Sequence, residues 1–230
     1  MEDTGLVVRP YKQGLRAEKS AETRTRILAA ARALLPEADR FQVDEIARRA
    51  DVSVPTLYSH FGSKVGLLSA LTEQIEEEAG LFAGFARVWR SQDGETALRT
   101  MLEATFAFWE YGWTFIAFSL RVRRTDPEFG ARIDRLDRSR FGHLVVICRR
   151  LDQEDRLRFG ATPETAARLA FALTTPYVYE AMVVQGGIPA SEATDLVADA
   201  TASAVIRPGS QPVPAKSINW TGLGLRPPVT

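Results

Sequence analysis

The segment between residues 53 and 61 combines side chains that could bind nucleic acid. Leu57 and Phe61 recur at helical spacing and predict one apolar side of a short helix. The other side carries hydroxyl, phenol and imidazole groups, from Thr56, Tyr58, Ser59 and His60. Such groups hydrogen-bond to phosphate oxygens and to base edges. The simpler interpretation is that this polar side of the helix is only exposed to solvent. A tyrosine and a histidine are, however, unusual residues for a face that has no binding role.

A helix-turn-helix is predicted around this segment. The first short helix follows from apolar residues at helical spacing, which are Val43, Ile46, Ala47 and Ala50. Asp51 interrupts that pattern, and Ser53 is then in the sequence context of an N-cap, with Pro55 in the first turn of the second helix. Gly62 ends the second helix. The second helix of such a pair can enter the major groove of DNA.

The stretch QVDEIARRADVSVPTLYSHFGSK, residues 42–64, resembles the DNA-binding end of the TetR family of tetracycline-repressor-like transcriptional regulators. The residues that carry the resemblance are Ile46-Ala47, Val52-Ser53, Thr56-Leu57-Tyr58, His60-Phe61 and Ser63-Lys64. The resemblance covers roughly residues 22–70, and beyond them it is only architectural. The chain departs from the family pattern at Asp51, where glycine is usual, and at Gln42, where threonine or serine is usual. Asp tolerates a left-handed backbone better than most residues, so neither departure removes the resemblance.

The resemblance also implies which residues contact DNA. The implied positions are Ser53, Thr56, Tyr58, His60 and Lys64. Of these, Tyr58, His60 and Lys64 are expected on the phosphate backbone. The residues expected to face the bases are Val54, Pro55, Thr56 and Ser59. Because this helix has no Arg, Asn or Gln for bidentate base reading, methyl contacts, arm contacts or DNA shape would supply specificity.

A longer amphipathic helix is predicted before the helix-turn-helix, over Thr23–Leu35. Thr23 and Arg24 would lie at its N-terminus, where backbone N–H groups favour phosphate. Residues 1–20 precede it and contain scattered lysines and arginines. They are predicted to form either a disordered tail or a basic arm that reaches phosphates or the minor groove.

Catalytic and metal-binding patterns are missing from the sequence. The two histidines, His60 and His143, do not lie at metal-ligand spacing from a carboxylate or a cysteine. The sequence contains neither a G-x-S-x-G motif nor a P-loop. We therefore expect no catalytic residue, no metal and no cofactor, and we expect that the protein is not an enzyme.

Charge and composition limit the possible partners. The 230 residues include 29 basic and 29 acidic side chains, so any DNA affinity must come from a local patch. The single Cys148 excludes an internal disulfide framework and suits a reducing compartment. No apolar run approaches twenty residues, and no signal-peptide pattern is visible. We expect a soluble cytoplasmic protein without a membrane partner.

The fold class is predicted to be all-α, with a three-helix DNA-binding domain followed by a helical bundle. The predicted divisions are the arm at 1–20, the helix-turn-helix domain at 21–66, the bundle at 67–206 and an irregular tail at 207–230. Ser63 would cap one long helix over Lys64–Phe85. The bundle helices that the sequence predicts are Glu95–Tyr111, Trp113–Arg123 after a break at Gly112, and helices over 127–151, 162–185 and 191–206. The tail would dock through Trp220 and Leu223.

A candidate ligand pocket lies in the predicted bundle. Phe106, Trp109 and Trp113 share one helical face, which is more aromatic surface than a helix crossing needs. The resemblance implies an effector domain with an internal pocket, and an ordinary core is the alternative. The candidate ligand-binding residues are Phe106, Trp109, Trp113, Phe118, Phe171, Thr174 and Tyr177. The arginines from Arg121 to Arg150 are interspersed with acidic residues and are predicted to form a solvated face.

The last two helices carry a candidate dimer surface. Small side chains recur along them, and burial inside one chain is the alternative interpretation. The candidate interface residues are Ala181, Val184, Ala193, Val197, Ala200 and Ala204. A single helix-turn-helix reads too few base pairs to be specific, and two-fold dimers on palindromic DNA are the usual solution.

These observations predict a dimeric transcriptional regulator that responds to a ligand. Effector binding in the bundle would tilt the Lys64–Phe85 helix and change the separation of the two recognition helices. A repressor released from its operator by a small hydrophobic or aromatic effector fits this mechanism. The alternative is a DNA-binding regulator that has no small-molecule effector.

Overall fold

The computed structural model describes residues 9–37 and 40–210, and across these residues it contains helices but no β-strand. The helices are α1 (Arg9–Leu34), α2 (Val43–Arg49), α3 (Val54–Phe61), α4 (Lys64–Glu78), α5 (Leu81–Arg90), α6 (Gly94–Val122), α7 (Pro127–Gln153), α8 (Pro163–Leu173), α9 (Pro176–Tyr179), a π-helix (Glu180–Gln185) and α10 (Ala190–Val205). A single antiparallel bridge joins Leu157 to Ile206. The predicted all-α class is confirmed.

The described residues divide into two compact units. The first contains the described residues up to Glu73 together with Ala117–Gly130. The second contains Gln74–Ile116 and the described residues from Ala131 onward. Ala117–Gly130, which the sequence analysis assigned to the bundle, therefore groups with the residues of the helix-turn-helix.

Apolar side chains from each of the first four helices form the core of the first unit. Its most buried members are Ile27, Ala31, Ile46, Leu57, Leu67 and Leu71. Phe41 closes this core, and its ring lies 6.2 Å from that of Phe118. Phe118 also packs edge-on against Phe129 at 5.3 Å. Phe118 is thus a core residue of the first unit and is not grouped with the other candidate ligand-binding residues.

Helix α1 is longer than the sequence predicted. It begins at Arg9, with Pro10 in its first turn, where proline is tolerated. Good helix formers such as Ala17, Glu18 and Lys19 extend it toward Thr23. The Thr23 hydroxyl donates to the carbonyl of Lys19 at 2.9 Å, so Thr23 lies inside the helix. The predicted arm is therefore helical from Arg9 onward, and residues 1–8 lie outside the described residues.

The predicted long helix from Lys64 to Phe85 is two helices. Helix α4 ends at Glu78, and Gly80 has a φ of 68°, a left-handed conformation that glycine adopts without strain. The backbone N–H of Gly80 donates to the carbonyl of Glu77 at 3.0 Å, and α5 then begins at Leu81. A C-terminal glycine of this kind is a frequent helix ending.

The predicted break at Gly112 is wrong, because α6 continues through it. A Cβ at residue 112 would lie 2.9 Å from Cγ2 of Ile75. The absence of a side chain at this position allows α6 to pack closely against the chain at Ile75. The glycine therefore serves packing between elements, although its intrinsic helix propensity is low.

The helix predicted over residues 162–185 is interrupted. Its start is confirmed, because the hydroxyl of Thr162 accepts from the backbone N–H of Thr165 at 3.2 Å. Helix α8 ends at Leu173, and Pro176, which cannot donate a backbone hydrogen bond, begins α9. The π-helix follows and ends at Gln185, the predicted C-terminal bound, and Gly187 shortly after it has a φ of 69°. Helix α10 lies within one residue of its predicted bounds.

Residues 211–230, which include Trp220 and Leu223, lie outside the described residues. None of the helices in the described part of the chain combines the length and hydrophobicity that crossing a membrane requires.

Candidate functional site

The candidate recognition helix α3 is fixed at both ends by its own sequence. Ser53 has an extended backbone, and its hydroxyl accepts from the backbone N–H of Thr56 at 3.2 Å. Pro55 occupies the first turn, where its missing N–H costs nothing. Gly62 ends the helix with a φ of 73°. The predicted cap and stop of this helix are confirmed.

The turn before α3 depends on Asp51. Its φ of 52° is left-handed, a conformation that Asp adopts more readily than most other non-glycine residues. The backbone N–H of Val52 then donates to the carbonyl of Ala47 at 3.0 Å, which closes the turn. Asp51 therefore fills the glycine position of the family pattern without a change in the turn.

Helix α3 is anchored on one side and open on the other. Leu57 is fully buried and Phe61 is 9% exposed. The candidate residues that are exposed are Ser53, Pro55, Tyr58 and Ser59, and those that are half-buried are Val54, Thr56 and His60. These seven candidate residues of the α3 segment thus lie on the accessible part of the helix. The Thr56 hydroxyl lies 2.8 Å from that of Ser53, so Thr56 contacts the N-cap residue and is also part of the open face.

Arg24 meets the C-terminal end of α3. Its guanidinium carbon lies 4.5 Å from the centre of the Phe61 ring, and its Nη1 donates to the carbonyl of His60 at 3.5 Å. Because Thr23 and Arg24 lie inside α1, the helix N-terminus that the sequence analysis invoked for their phosphate contact is not at these residues. Arg24 instead supplies an exposed positive charge beside the recognition helix.

The cations of α2 are paired with an acidic residue of the same helix. Arg48 and Arg49 donate to the Glu45 carboxylate at 2.8 Å and 2.9 Å through their Nε atoms. The hydrogen bond from Arg48, followed by that from Arg49, lowers the pKa of Glu45 to about 2. Glu45 therefore stays charged and offsets part of the positive charge of these arginines at neutral pH.

Lys64, a predicted phosphate contact, forms an ion pair with Asp126. The Lys64 side chain is 28% exposed and that of Asp126 is 10% exposed. Asp126 also caps α7, because its Oδ1 accepts from the backbone N–H of Phe129 at 3.1 Å. Burial pulls the pKa of Asp126 upward, but the Lys64 ammonium and the backbone hydrogen bonds outweigh it and lower the pKa. Sequence reasoning missed this pair, since its members lie 62 residues apart.

In the second unit, the predicted aromatic face is assembled around Tyr179. The ring centre of Tyr179 lies 5.6 Å from Phe106, 6.1 Å from Trp109 and 5.2 Å from Trp113. Phe106, Trp109 and Tyr179 are at most 3% exposed, whereas Trp113 is half-buried. The sequence analysis missed Tyr179. Its position on the predicted 162–185 helix gave no indication that it faces Phe106.

Arg140 joins the remaining candidate ligand-binding residues to this cluster. Its guanidinium carbon lies 4.0 Å from the Phe171 ring centre and 5.7 Å from that of Trp109. Its Nη1 donates to the carbonyl of Thr174 at 2.8 Å and to the hydroxyl of Thr174 at 3.0 Å. Tyr177, by contrast, is 58% exposed. The predicted solvated face between Arg121 and Arg150 is wrong at Arg140 and Arg150, which are largely buried.

The candidate dimer residues separate into two groups. Ala193 and Val197 are buried in the second unit, where α8 and α10 pack against each other. They therefore belong to the core of one chain, which was the alternative interpretation. Ala181, Val184 and Ala200 are exposed, and Ala204 is half-buried. Larger exposed apolar side chains occur on the same elements, namely Leu169, Tyr177, Val184 and Leu196. We call these four residues the apolar surface.

Residues 27–71 match the family of bacterial regulatory proteins described as the tetR family. A curated relative is the HTH-type transcriptional activator FasR of Mycolicibacterium smegmatis, which is 36% identical over 95 residues. That alignment covers 40% of this chain and 42% of the relative, so the chain matches less than half the length of FasR.

Solved structures of similar fold cover most of the chain. SmeT of Stenotrophomonas maltophilia, in a complex with triclosan, has a TM-score of 0.65 at 23% identity, over 84% of this chain and 96% of SmeT. NalD of Pseudomonas aeruginosa has a TM-score of 0.65 at 20% identity, over 82% of this chain and 99% of NalD. These likenesses show the fold. With the capped recognition helix and its left-handed turn, residues 27–71 form a DNA-binding domain of the bacterial tetR family of regulatory proteins, and the chain as a whole has the fold of the SmeT and NalD regulators.

Proposed function

We propose that this regulator is a cytoplasmic homodimer that binds palindromic operator DNA and represses transcription until a small aromatic or hydrophobic effector releases it. The observation that carries the proposal is the open face of α3. The Ser53 cap fixes the N-terminus of this helix, and the buried side chains of Leu57 and Phe61 anchor its opposite face. A rigidly held helix with accessible hydroxyl, phenol and imidazole groups is suited to the major groove.

Phosphate contacts would position the protein on the duplex. Tyr58 is 39% exposed and His60 is half-buried on the same helix, while Arg24 lies beside the helix end. Lys64 would contribute by sharing its ammonium group between Asp126 and a phosphate, or by exchanging one for the other. Because the chain has no net charge, these local contacts must provide most of the electrostatic attraction to DNA.

Base recognition would come from the first turns of α3. Val54, Pro55 and the methyl group of Thr56 can contact thymine methyls, and Ser59 can hydrogen-bond to a base edge. Helix α3 has no side chain for bidentate reading, so the specificity per half-site is modest. Two half-sites, with their major grooves about 34–36 Å apart, would then be needed for a specific operator. This requirement supports a dimer.

The effector would bind beside the aromatic cluster of the second unit. Phe106, Trp109 and Tyr179 form a continuous set of ring contacts, and aromatic side chains dominate the walls of ligand pockets. The structures of SmeT and NalD are described as those of repressors of multidrug efflux pumps, and SmeT is in a complex with triclosan. A ligand releases DNA only where it binds the released conformation more tightly than the DNA-competent one.

A regulator without a small-molecule effector is the second candidate. The burial of Phe106 to 1% and of Trp109 to 3% favours it, because tightly packed rings are also what an ordinary core contains. The name of FasR, a transcriptional activator, supports the opposite sign of regulation. Both alternatives keep DNA binding and change only what controls it.

Two measurements test the proposal. Selection of binding sites from random DNA should return a palindrome, and fluorescence anisotropy on that site should show two protein chains per duplex. A Trp109→Ala variant should then retain operator binding but lose the response to an effector found by screening aromatic compounds. If Trp109 is only core, the same substitution should cost about 3–5 kcal/mol and cripple folding, which a thermal melt detects. Random DNA that returns no consensus would contradict the proposed operator.

A further inference from the structure

Arg140 is a buried cation on the inner side of α7. Only 14% of its side chain is exposed, whereas Arg138, two residues earlier on the same helix, is exposed. Burial lowers the pKa of Arg140 to about 10, although the Asp137 carboxylate acts in the opposite direction. The guanidinium therefore remains charged at neutral pH in a site that is poorly hydrated. A charge in such a place requires compensation from its surroundings.

The compensation that Arg140 receives from the described residues is incomplete. Its Nη1 donates to the carbonyl and the hydroxyl of Thr174, which ends α8. Its Nη2 is buried and donates no hydrogen bond to any described residue. The nearest carboxylate oxygen, on Asp137, lies 4.0 Å away, which is beyond hydrogen-bond distance. Stabilising the end of α8 thus engages Nη1 and leaves the buried Nη2 without a hydrogen bond to the described residues.

Aromatic rings lie beside the Arg140 guanidinium. The guanidinium carbon lies 4.0 Å from the Phe171 ring centre and 5.7 Å from that of Trp109. Trp109 in turn contacts Phe106 at 5.1 Å and Tyr179 at 6.1 Å. Stacked rings hold a guanidinium in one orientation, and its planar N–H groups match the oxygens of an anion. A fixed cation beside a set of rings is complementary to a flat molecule that carries one negative charge.

We propose that Arg140 binds the anionic group of the effector, and that the effector is therefore an organic anion, such as a carboxylate or a sulfonate, with an aromatic body. Its charged group would accept from Nη2 of Arg140, and its rings would pack beside Trp109 and Phe171. The inference rests on the proposed effector site and adds the charge of the ligand. Because the same guanidinium holds Thr174, the bound anion also acts at the junction between α8 and α9.

A matched pair of dyes tests the charge preference. 8-Anilinonaphthalene-1-sulfonate and N-phenyl-1-naphthylamine share the same rings, and only the former carries a sulfonate. Fluorescence titration without DNA should show that the wild-type protein binds the sulfonate at least about tenfold more tightly, since hydrogen bonds to charged groups are stronger than those between neutral groups. Arg140→Met should abolish this ratio, and Arg140→Lys should retain part of it. Arg138→Met, which removes an equal charge from the exposed side of α7, should leave the ratio unchanged.

The outcomes separate clearly. Equal affinity of the wild-type protein for the two dyes, or failure of the sulfonate to bind, would overturn the inference. A folded Arg140→Met variant that keeps the tenfold preference would also overturn it. Thermal melts establish whether this variant folds. If it does not fold, the ratio of the affinities for the two dyes is compared between Arg140→Lys, which should lower it, and Arg138→Met, which should not. The titration contains no DNA, so a protein that bound no operator would contradict the proposed function and leave this result intact.

Discussion

The ammonium group of Lys64, the proposed phosphate contact, is already paired with Asp126. The pair lies in the first unit and is mostly screened from solvent, with 28% and 10% of the two side chains exposed. An ion pair at this depth is less weakened by salt than one on the surface. Asp126 therefore competes with a DNA phosphate for the Lys64 ammonium group. The stronger the Lys64–Asp126 ion pair is, the less Lys64 adds to DNA binding.

Asp126→Asn should strengthen DNA binding. Asparagine is also a good N-cap, so α7 keeps its capping group while the competing charge is removed. Affinity for operator and for random DNA should both rise, because a phosphate contact carries no sequence information. The slope of log K against log salt should steepen by roughly 0.9, the value for one further phosphate contact. Titrations by anisotropy at several salt concentrations measure both quantities.

The double variant Lys64→Ala/Asp126→Asn is the control for this experiment. It should lose the gain in affinity and return the slope to the wild-type value or below it. Weaker binding by Asp126→Asn alone would mean that Asp126 holds Lys64 in the orientation that DNA requires, and competition would then be the wrong interpretation.

Two serine residues of the recognition helix segment have different structural roles. Ser53 caps α3 through the backbone N–H of Thr56, whereas Ser59 donates to the carbonyl of Thr56 from an exposed position. Ser53→Ala should lower the free energy of unfolding by about 1 kcal/mol, the usual value of an N-cap. Ser59→Ala should change it by less than about 0.5 kcal/mol. Urea denaturation of the two variants compares them, and equal effects would show that the cap contributes little here.

At the scale of whole elements, the bundle depends on close approach at a few small residues. Gly84 and Gly112 lie where a Cβ would come within 3.0 Å of a neighbouring side chain, on Ala104 and Ile75. A packed interior cannot accommodate an added methyl group without a shift of its neighbours. These glycines therefore act as contact points between elements and not as flexible joints.

Gly112→Ala should destabilise the protein although alanine is the better helix former. The gain in helix propensity is about 1 kcal/mol, and overpacking against Ile75 costs about 1–3 kcal/mol. Gly142→Ala is the matched control, because α7 leaves open space at that position, with none of the described residues within 4 Å of the added Cβ. The control should raise the melting temperature and Gly112→Ala should lower it. Equal rises in both variants would mean that Ile75 moves aside without cost.

At the scale of the whole molecule, local features were predictable and distant pairs were not. The Ser53 cap, the left-handed Asp51 and the helix start at residue 162 each depend on residues within a few positions, and the local sequence predicts all three. Lys64–Asp126 and Arg140–Thr174 join residues 62 and 34 apart, which no local pattern reveals. Periodicity also cannot distinguish a glycine that ends a helix from one that permits packing. For this reason Gly80 and Gly112 were both misjudged.

The apolar surface bears on how two chains associate. Leu169 is 43% exposed, Val184 and Leu196 are each 49% exposed, and Tyr177 is 58% exposed. They lie on α8, α9, the π-helix and α10, and α8 and α10 pack together. Exposed apolar side chains are frequent at protein interfaces, and we propose that these four residues contribute to the contact between two chains. Ala193 and Val197, two of the predicted interface residues, are instead buried in the core of the second unit.

Leu196→Glu should therefore convert the proposed dimer into monomers. A carboxylate buried at an interface without a partner is costly, and truncating or charging a central apolar contact weakens association strongly. Light scattering at micromolar concentration should give the mass of one chain, and operator affinity should fall because one recognition helix alone holds half a site. Phe82→Glu is the control, since Phe82 is 59% exposed on α5, outside the apolar surface. A Leu196→Glu protein that stays dimeric, or a Phe82→Glu protein that dissociates, would place the interface elsewhere.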